Sequence, residues 1–211
     1  MYIKIVFRGE MFMNEIKAIL GEGNLITFHD FNGCIIHEYD FSRVEFENVT
    51  FSRCQFTSCI FDYCYFNNCK FNDCDVSNSS FNNSFFKQCT FNESKATGAD
   101  FLESIIRNTI ISNSIFKYAN FSTNKWDSIT INDSDFSESS MSNTKLIKTT
   151  LQNINLTGVD FFKSNLKNTD LSSCVIEGII LSENFTELKS AKISKLQAAR
   201  LVTLLGIEVV D

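Results

Sequence analysis

Residues 51–75 read FSRCQFTSCIFDYCYFNNCKFNDCD, with phenylalanine at 51, 56, 61, 66 and 71 and cysteine at 54, 59, 64, 69 and 74. The beat of five continues far beyond this stretch: from Phe31 to Leu181 every fifth residue is apolar, thirty-one positions without a break. A second column lies two residues before the first and is small almost throughout, passing from the cysteines into Ser79, Ser84, Cys89, Ser94, Ala99 and Ser104. A helix repeats its apolar face about every 3.6 residues and a strand every 2, so a period of five belongs to neither. Short fixed periods signal a solenoid.

The units CQFTS (54–58), CKFND (69–73) and ANFST (119–123) each read small, polar, Phe, polar, polar, and CIFDY (59–63) keeps the small residue and the central Phe with Ile60 between them. In these units the chain resembles the pentapeptide-repeat family, in a single register from residue 29 to 183. The resemblance implies an all-β solenoid: a right-handed quadrilateral β-helix of pentapeptide repeats with four units per coil and about eight coils. It also implies that the central residue and the small residue two before it point inward.

The physics of such a rod can be stated independently. With two of every five side chains inward, each coil buries one layer, and neighbouring coils close their backbone hydrogen bonds about 4.8 Å apart. Asn, Asp or Gly fills the fifth place of many units, among them Gly33, Asn48, Asn68, Gly98, Asn108 and Gly158. A square corner there requires φ > 0 or an Asx-type turn. The chain has no proline, as expected where nearly every unit donates its N–H to the next coil. Phe41, Phe61, Phe81, Phe101 and Phe121 fall in one column, which predicts an aromatic ladder, whereas beyond residue 140 the centres, Phe161 apart, turn aliphatic. Ala96, the one small centre, and Trp126, the one very large, mark places for a void or for strain.

At 211 residues, 44% hydrophobic and with a formal charge of −6, the chain falls among soluble globular proteins of one or two domains. No signal-length or membrane-spanning apolar run is visible, so a cytoplasmic protein without membrane contact is expected. All eight cysteines occupy the small inward column, with Cys34, Cys54 and Cys74 stacked at intervals of twenty residues and Cys69 beneath Cys89. They read as buried free thiols, with redox or metal chemistry as the alternative.

Outside the frame, residues 1–28 are expected to form an N-terminal cap, a strand over 2–7 and a short helix over 11–20; residues 29–183 form the β-helix and 184–211 a helical C-terminal segment. Ser194 and Gln197 make a capping box, Ile193 can staple to Ala198, and Gly206 ends the helix after Leu205. Leu196, Ala198, Ala199, Leu201, Val202, Leu204 and Leu205 give that helix a wide apolar stripe, more than one cap needs. In the quinolone-resistance, Qnr-like branch of the family a C-terminal helix of this kind pairs two rods, which implies a homodimer; a monomer with a simple cap is the other reading.

Enzymatic constellations are missing. His29 falls at the small inward place of the first unit and His37 points outward, and no phosphate loop, zinc spacing or nucleophile elbow is present, so no catalytic, cofactor or metal site is expected. Sorting the outward residues by coil face leaves three faces acidic, while the face built on Phe46, Phe66, Phe86 and Trp126 is net basic, with Lys87, Arg107, Lys125, Lys145, Lys148 and Lys167 against Glu45, Glu47 and Asp127. This balance argues against a direct nucleic-acid ligand. On the basic face Tyr65, Phe85 and Ile105 make an exposed apolar column, either a simple cover for the coil or a partner contact.

The resemblance implies a function as well. Members of the branch are acidic rods that imitate duplex DNA, occupy the DNA-binding saddle of DNA gyrase or topoisomerase IV and protect it from quinolones. Carried over, it implies Asp40, Asp62, Asp100, Glu103 and Asp160 as phosphate mimics on one face, and Asp73, Glu93, Asp133 and Asp170 on another. No loop interrupts the register between 31 and 181, unlike many quinolone-resistance members. The alternative is a structural or protein-interaction module with no topoisomerase role.

Overall fold

The computed structural model describes residues 23–203 and 206–210. The expected strand over 2–7 and helix over 11–20 lie outside the described residues, as do Leu204 and Leu205.

The chain winds as a parallel β-solenoid of four-sided coils. Phe46 pairs with Phe66 and Phe66 with Phe86, each step advancing twenty residues. Two faces are built from three-residue strands. The Phe46 face carries seven of them, from Leu25–Thr27 to Lys145–Ile147, and the Phe51 face seven, from Asp30–Asn32 to Thr150–Gln152. Seven strands span six turns, fewer than the eight coils expected, because later units join only through single bridges such as Lys145↔Asn165 and Asn155↔Val175. At the other end the ladder starts one unit before Phe31: Leu25–Thr27 pairs with Glu45–Glu47, and Ile26 is fully buried.

The Phe41 and Phe56 faces are mostly tight turns. The residue just before the centre decides between strand and turn. On the turn faces it is often Asp or Asn, whose side-chain oxygen accepts the N–H two residues on, as in Asp75 to Ser77 (3.0 Å), Asn120 to Ser122 (3.0 Å) and Asp160 to Phe162 (2.8 Å). Such Asx turns compete with a strand ladder. On the strand faces the same place holds Thr50, Thr90 and Thr130, or Tyr65, Phe85 and Ile105, residues that favour a pleated surface.

Inside, Phe41, Phe61, Phe81, Phe101 and Phe121 stack with centroids 4.8, 4.9, 4.8 and 4.8 Å apart. Two more ladders stand beside it, Phe46–Phe66–Phe86 at 4.9 and 4.7 Å and Phe51–Phe71–Phe91 at 5.0 and 4.5 Å. The rung spacing of the backbone, about 4.8 Å, sets these separations. The small column has a second task besides leaving room. Its hydroxyls and thiols donate to the carbonyl of the central residue one coil back: Cys64 Sγ to Phe41 O (3.1 Å), Ser84 Oγ to Phe61 O (2.7 Å), Ser104 Oγ to Phe81 O (2.7 Å). Buried carbonyls need such partners, which explains why the column is Cys, Ser and Thr more often than Ala.

Trp126 is 1% exposed and packs edge-on against Phe121 at 5.2 Å. Its indole N–H and the Asn124 Oδ1 on the same rung are both buried without a hydrogen-bond partner, so the rung is strained by polarity more than by size. Ala96 is wholly buried.

The corners are left-handed almost without exception. Positive φ extends beyond Asn, Asp and Gly to Arg43, Tyr63, Tyr118 and Thr123, the last at 61°. A β-branched residue there is disfavoured by roughly 1–2 kcal/mol. Thr123→Asn is therefore expected to raise stability by about 0.5–1 kcal/mol, read as a higher urea midpoint at unchanged slope. Glycine is required where the corners crowd: a Cβ on Gly98 would lie 2.6 Å from Asn78 Oδ1, and one on Gly158 2.7 Å from the Glu138 carboxylate.

After Leu181 the solenoid makes one more irregular turn before any helix. Leu166 N donates to Glu187 O (3.2 Å) and Leu171 N to Lys192 O (2.8 Å), a register two residues longer than that of the regular coils, where Phe161 N donates to Ile180 O. Leu188, Ala191 and Ile193 pack on the core. Helix α1, Lys195–Thr203, then covers the end. Its capping box is formed, with Ser194 N on Gln197 Oε1 (2.6 Å) and Gln197 N on Ser194 Oγ (3.3 Å). The same Gln197 is buried and donates through Nε2 to Leu171 O (2.8 Å) and Cys174 O (2.7 Å), closing carbonyls that no further coil can reach. Gly206, at φ 74°, donates its N–H to Thr203 O, and Ile207 N donates to Val202 O, the bond pair of a Schellman-type stop.

Candidate interaction surfaces

The acidic candidates fall into two structural kinds. Asp40, Asp100, Asp160 and Asp170 sit just before a centre and hold Asx turns, accepting from Ser42 N (2.8 Å), Leu102 N (3.2 Å), Phe162 N (2.8 Å) and Ser172 N (3.0 Å). The Ser42 hydroxyl and N–H hold the Asp40 carboxyl below its usual value, and Ser172 does the same for Asp170. Asp100 also accepts from Asn82 (3.1 Å) and Asn120 (2.9 Å), and Asp62 from Ser80 Oγ and Asn82 N. These carboxylates are structural as well as charged. Asp73, Glu93, Glu103 and Asp133 instead stand at left-handed corners and are exposed. Among the described residues only Asp133 of the four accepts a side-chain bond, from Asn153 Nδ2 at 3.0 Å.

A groove of about 620 Å³ runs along the edge between the Phe51 and Phe56 faces, lined by Asn113, Ile115, Asp133, Asp135, Asn153 and Val175.

On the Phe46 face Tyr65, Phe85 and Ile105 occupy successive rungs. They are half-buried rather than fully exposed. The Tyr65 and Phe85 rings stack at 5.2 Å and 4°, and the Arg107 guanidinium lies 5.5 Å over Phe85.

Helix α1 divides its apolar residues. Leu201 is buried against its own rod, Ala198, Ala199 and Val202 are half-buried, and Leu196 is 66% exposed. Arg200 pairs with Glu177 of the last coil.

All eight cysteines are buried. Burial pushes the Cys64 thiol up to about 12 and raises Cys59 and Cys174, the state of an unreactive thiol. His29 is half-buried with Nδ1 3.0 Å from Thr27 O, and His37 Nδ1 meets Thr57 Oγ1. Among the described residues no group of three or more His, Cys, Asp or Glu is arranged to hold a metal ion, and no helix is long and apolar enough to cross a membrane.

Sequence reasoning missed Glu187, a carboxylate only 2% exposed that accepts from Lys163 N (2.8 Å), Ser182 N (3.3 Å) and Ser182 Oγ (2.8 Å). It lies past the last frame position, where periodicity carries no information. The Asx role of the aspartates was available from the sequence, through their place immediately before a centre.

Residues 26–101 match a family described as "Pentapeptide repeat region", and residues 139–178 match "Pentapeptide repeats (8 copies)". A search of curated protein sequences gives no match. Among solved structures, a trypsin-treated variant of QnrB1, a plasmid-mediated fluoroquinolone resistance protein, is 23% identical, with 88% of this chain and 97% of that one covered and a TM-score of 0.46. Full-length QnrB1 is 22% identical, with 87% and 100% covered and a TM-score of 0.42. HetL, a pentapeptide repeat protein involved in heterocyst differentiation regulation from the cyanobacterium Nostoc sp. strain PCC 7120, is 9% identical, with 90% and 95% covered and a TM-score of 0.38.

Proposed function

The chain belongs to the pentapeptide-repeat family, and from that premise we propose that it is a non-enzymatic DNA mimic that occupies the DNA-binding saddle of DNA gyrase or topoisomerase IV and shields the enzyme from quinolones. One observation carries this reading: opposite walls of the rod, the Phe41 and Phe51 faces, hold carboxylates at fixed heights. Asp40, Asp100 and Asp160 recur every three coils, a separation of roughly 14 Å, close to four steps of about 3.4 Å along one DNA strand. Their Asx bonds pre-position the charges, so little side-chain entropy is lost on contact. The corner acids Asp73 and Glu93 add charge to the opposite wall and Glu103 adds it to the first. In the same reading two copies pair through α1; the exposed Leu196 supports that contact, whereas Leu201 is already occupied by its own rod.

The test is a gyrase supercoiling assay across a titration of the full chain, with and without ciprofloxacin. Glu103→Lys and the double variant Asp73→Lys, Glu93→Lys are the informative changes, because these corner carboxylates hold no turn together and the fold should survive. Inhibition or drug protection by the wild type, reduced at least tenfold in both variants and weakening as salt rises, is the expected result. No effect of the wild type on gyrase or topoisomerase IV at micromolar concentration overturns the proposal.

A further inference from the structure

The Phe46 face is unlike the other three. Along successive rungs its outward residues pass from Tyr65 to Phe85 with Lys87, to Ile105 with Arg107, to Lys125 with Asp127, and then to Lys145, so that the cations outnumber the one acid of this stretch. The parallel strands hold these side chains in straight files. Lys125 and Lys145 are direct neighbours, about 4.8 Å apart along the rod, an arrangement that like charges oppose. The ion pairs among the described residues, Lys95–Asp75 and Arg200–Glu177, leave all of these cations out. The Arg107 Nε–H is buried without a partner, because the guanidinium is drawn over Phe85.

The geometry narrows what could sit here. Tyr65 and Phe85 stack along the rod axis at the rung spacing, so they turn their ring edges outward, and Arg107, one rung on, covers Phe85 as well. Nucleobases bind by lying on free ring faces, and those of Phe85 are taken. A membrane calls for apolar side chains that protrude, whereas these are half-buried. Ring edges carry the positive end of the aromatic quadrupole; together with the files of lysine they favour carboxylates, with Ile105 left for one apolar contact.

We propose that this face is a second docking surface and that its occupant is an acidic protein segment combining carboxylates with apolar side chains. The rod would then join two partners. Its acidic walls stand on the faces to either side, and the basic file looks away from whatever those walls engage. The inference does not rest on the topoisomerase reading, since nothing in it uses the acidic walls.

The experiment is fluorescence anisotropy with the full chain and a labelled peptide of alternating Glu and Leu, beside a Glu/Ser peptide of equal charge, an oligothymidylate and phosphatidylserine vesicles. The expected result is tightest binding to the Glu/Leu peptide, weakened at least tenfold by Lys125→Glu with Lys145→Glu. Phe85→Thr, which keeps a strand-favouring residue, is expected to weaken it about fivefold, and Lys95→Glu on the Phe56 face to leave it unchanged. Circular dichroism confirms the fold of each variant. Equal binding of the Glu/Ser peptide, stronger binding of the oligonucleotide or vesicles, no binding of any probe, or indifference to the Phe46-face variants overturns the proposal. The gyrase assay on the same variants separates this surface from the acidic walls, because only corner variants should alter it.

Discussion

Phe81→Ala is expected to lower the free energy of unfolding by about 3–5 kcal/mol, the range for removing a fully enclosed aromatic ring. Phe81 is wholly buried and stacked between Phe61 (4.9 Å) and Phe101 (4.8 Å), with Phe66 and Phe86 tilted against it at 6.1 and 5.8 Å. The ladder offers no side chain that can swing into the space, because each ring is fixed by the rung above and the rung below. In a solenoid the loss is felt mainly by the adjoining coils, so the urea transition followed by circular dichroism should both shift and broaden. Phe28→Ala is the control: that ring is 79% exposed, and its removal should stay within about 0.5 kcal/mol. A Phe81→Ala midpoint equal to that of Phe28→Ala would show that the stacked rings do not support the rod.

The second large effect lies at the C-terminal turn. Glu187→Ala leaves the Lys163 and Ser182 N–H groups without their acceptor and is expected to destabilise the end of the rod by about 2–3 kcal/mol, the value of charged hydrogen bonds. Burial opposes ionisation of Glu187, but the hydrogen bonds from its own backbone, Lys163 and Ser182 outweigh it and hold the carboxyl below the usual 4.5. A folded value below the unfolded one means that the stabilisation is complete above about pH 4.5 and is lost as pH falls through the lower folded value. Thermal melts between pH 7 and pH 3 should thus show a steeper acid decline for the wild type than for Glu187→Gln. Parallel declines would remove Glu187 from the acid response.

The sequence made the solenoid legible because a five-residue spacing held over thirty-one positions fits neither the helix nor the strand period, and Phe at 41, 61 and 81 already implied a ladder. The further ladders at Phe46 and Phe51 were equally readable by the same sorting. What escaped was the distinction between strand and turn faces, carried by single residues such as Asp75 against Thr90 rather than by period. The turn from 182 to 193 escaped for a different reason: there the register lengthens, and Glu187 is chosen by tertiary hydrogen bonds alone. The surfaces were half legible. Charge could be assigned to faces by counting, but only geometry separates aspartates that hold turns, such as Asp100, from corner acids such as Glu103.

The register of twenty residues between rungs governs how such a chain can change length. A twenty-residue insertion lengthens the rod by one coil and leaves every downstream side chain on its own wall. A five-residue insertion satisfies the inward pattern just as well, yet it rotates everything beyond it by a quarter turn. Placed before Lys125, it would carry the basic file onto a wall now held by acids, scrambling the surface while sparing the core. Descendants of this rod are thus free to grow in whole coils, and each quarter-coil step rewrites what the outside can recognise.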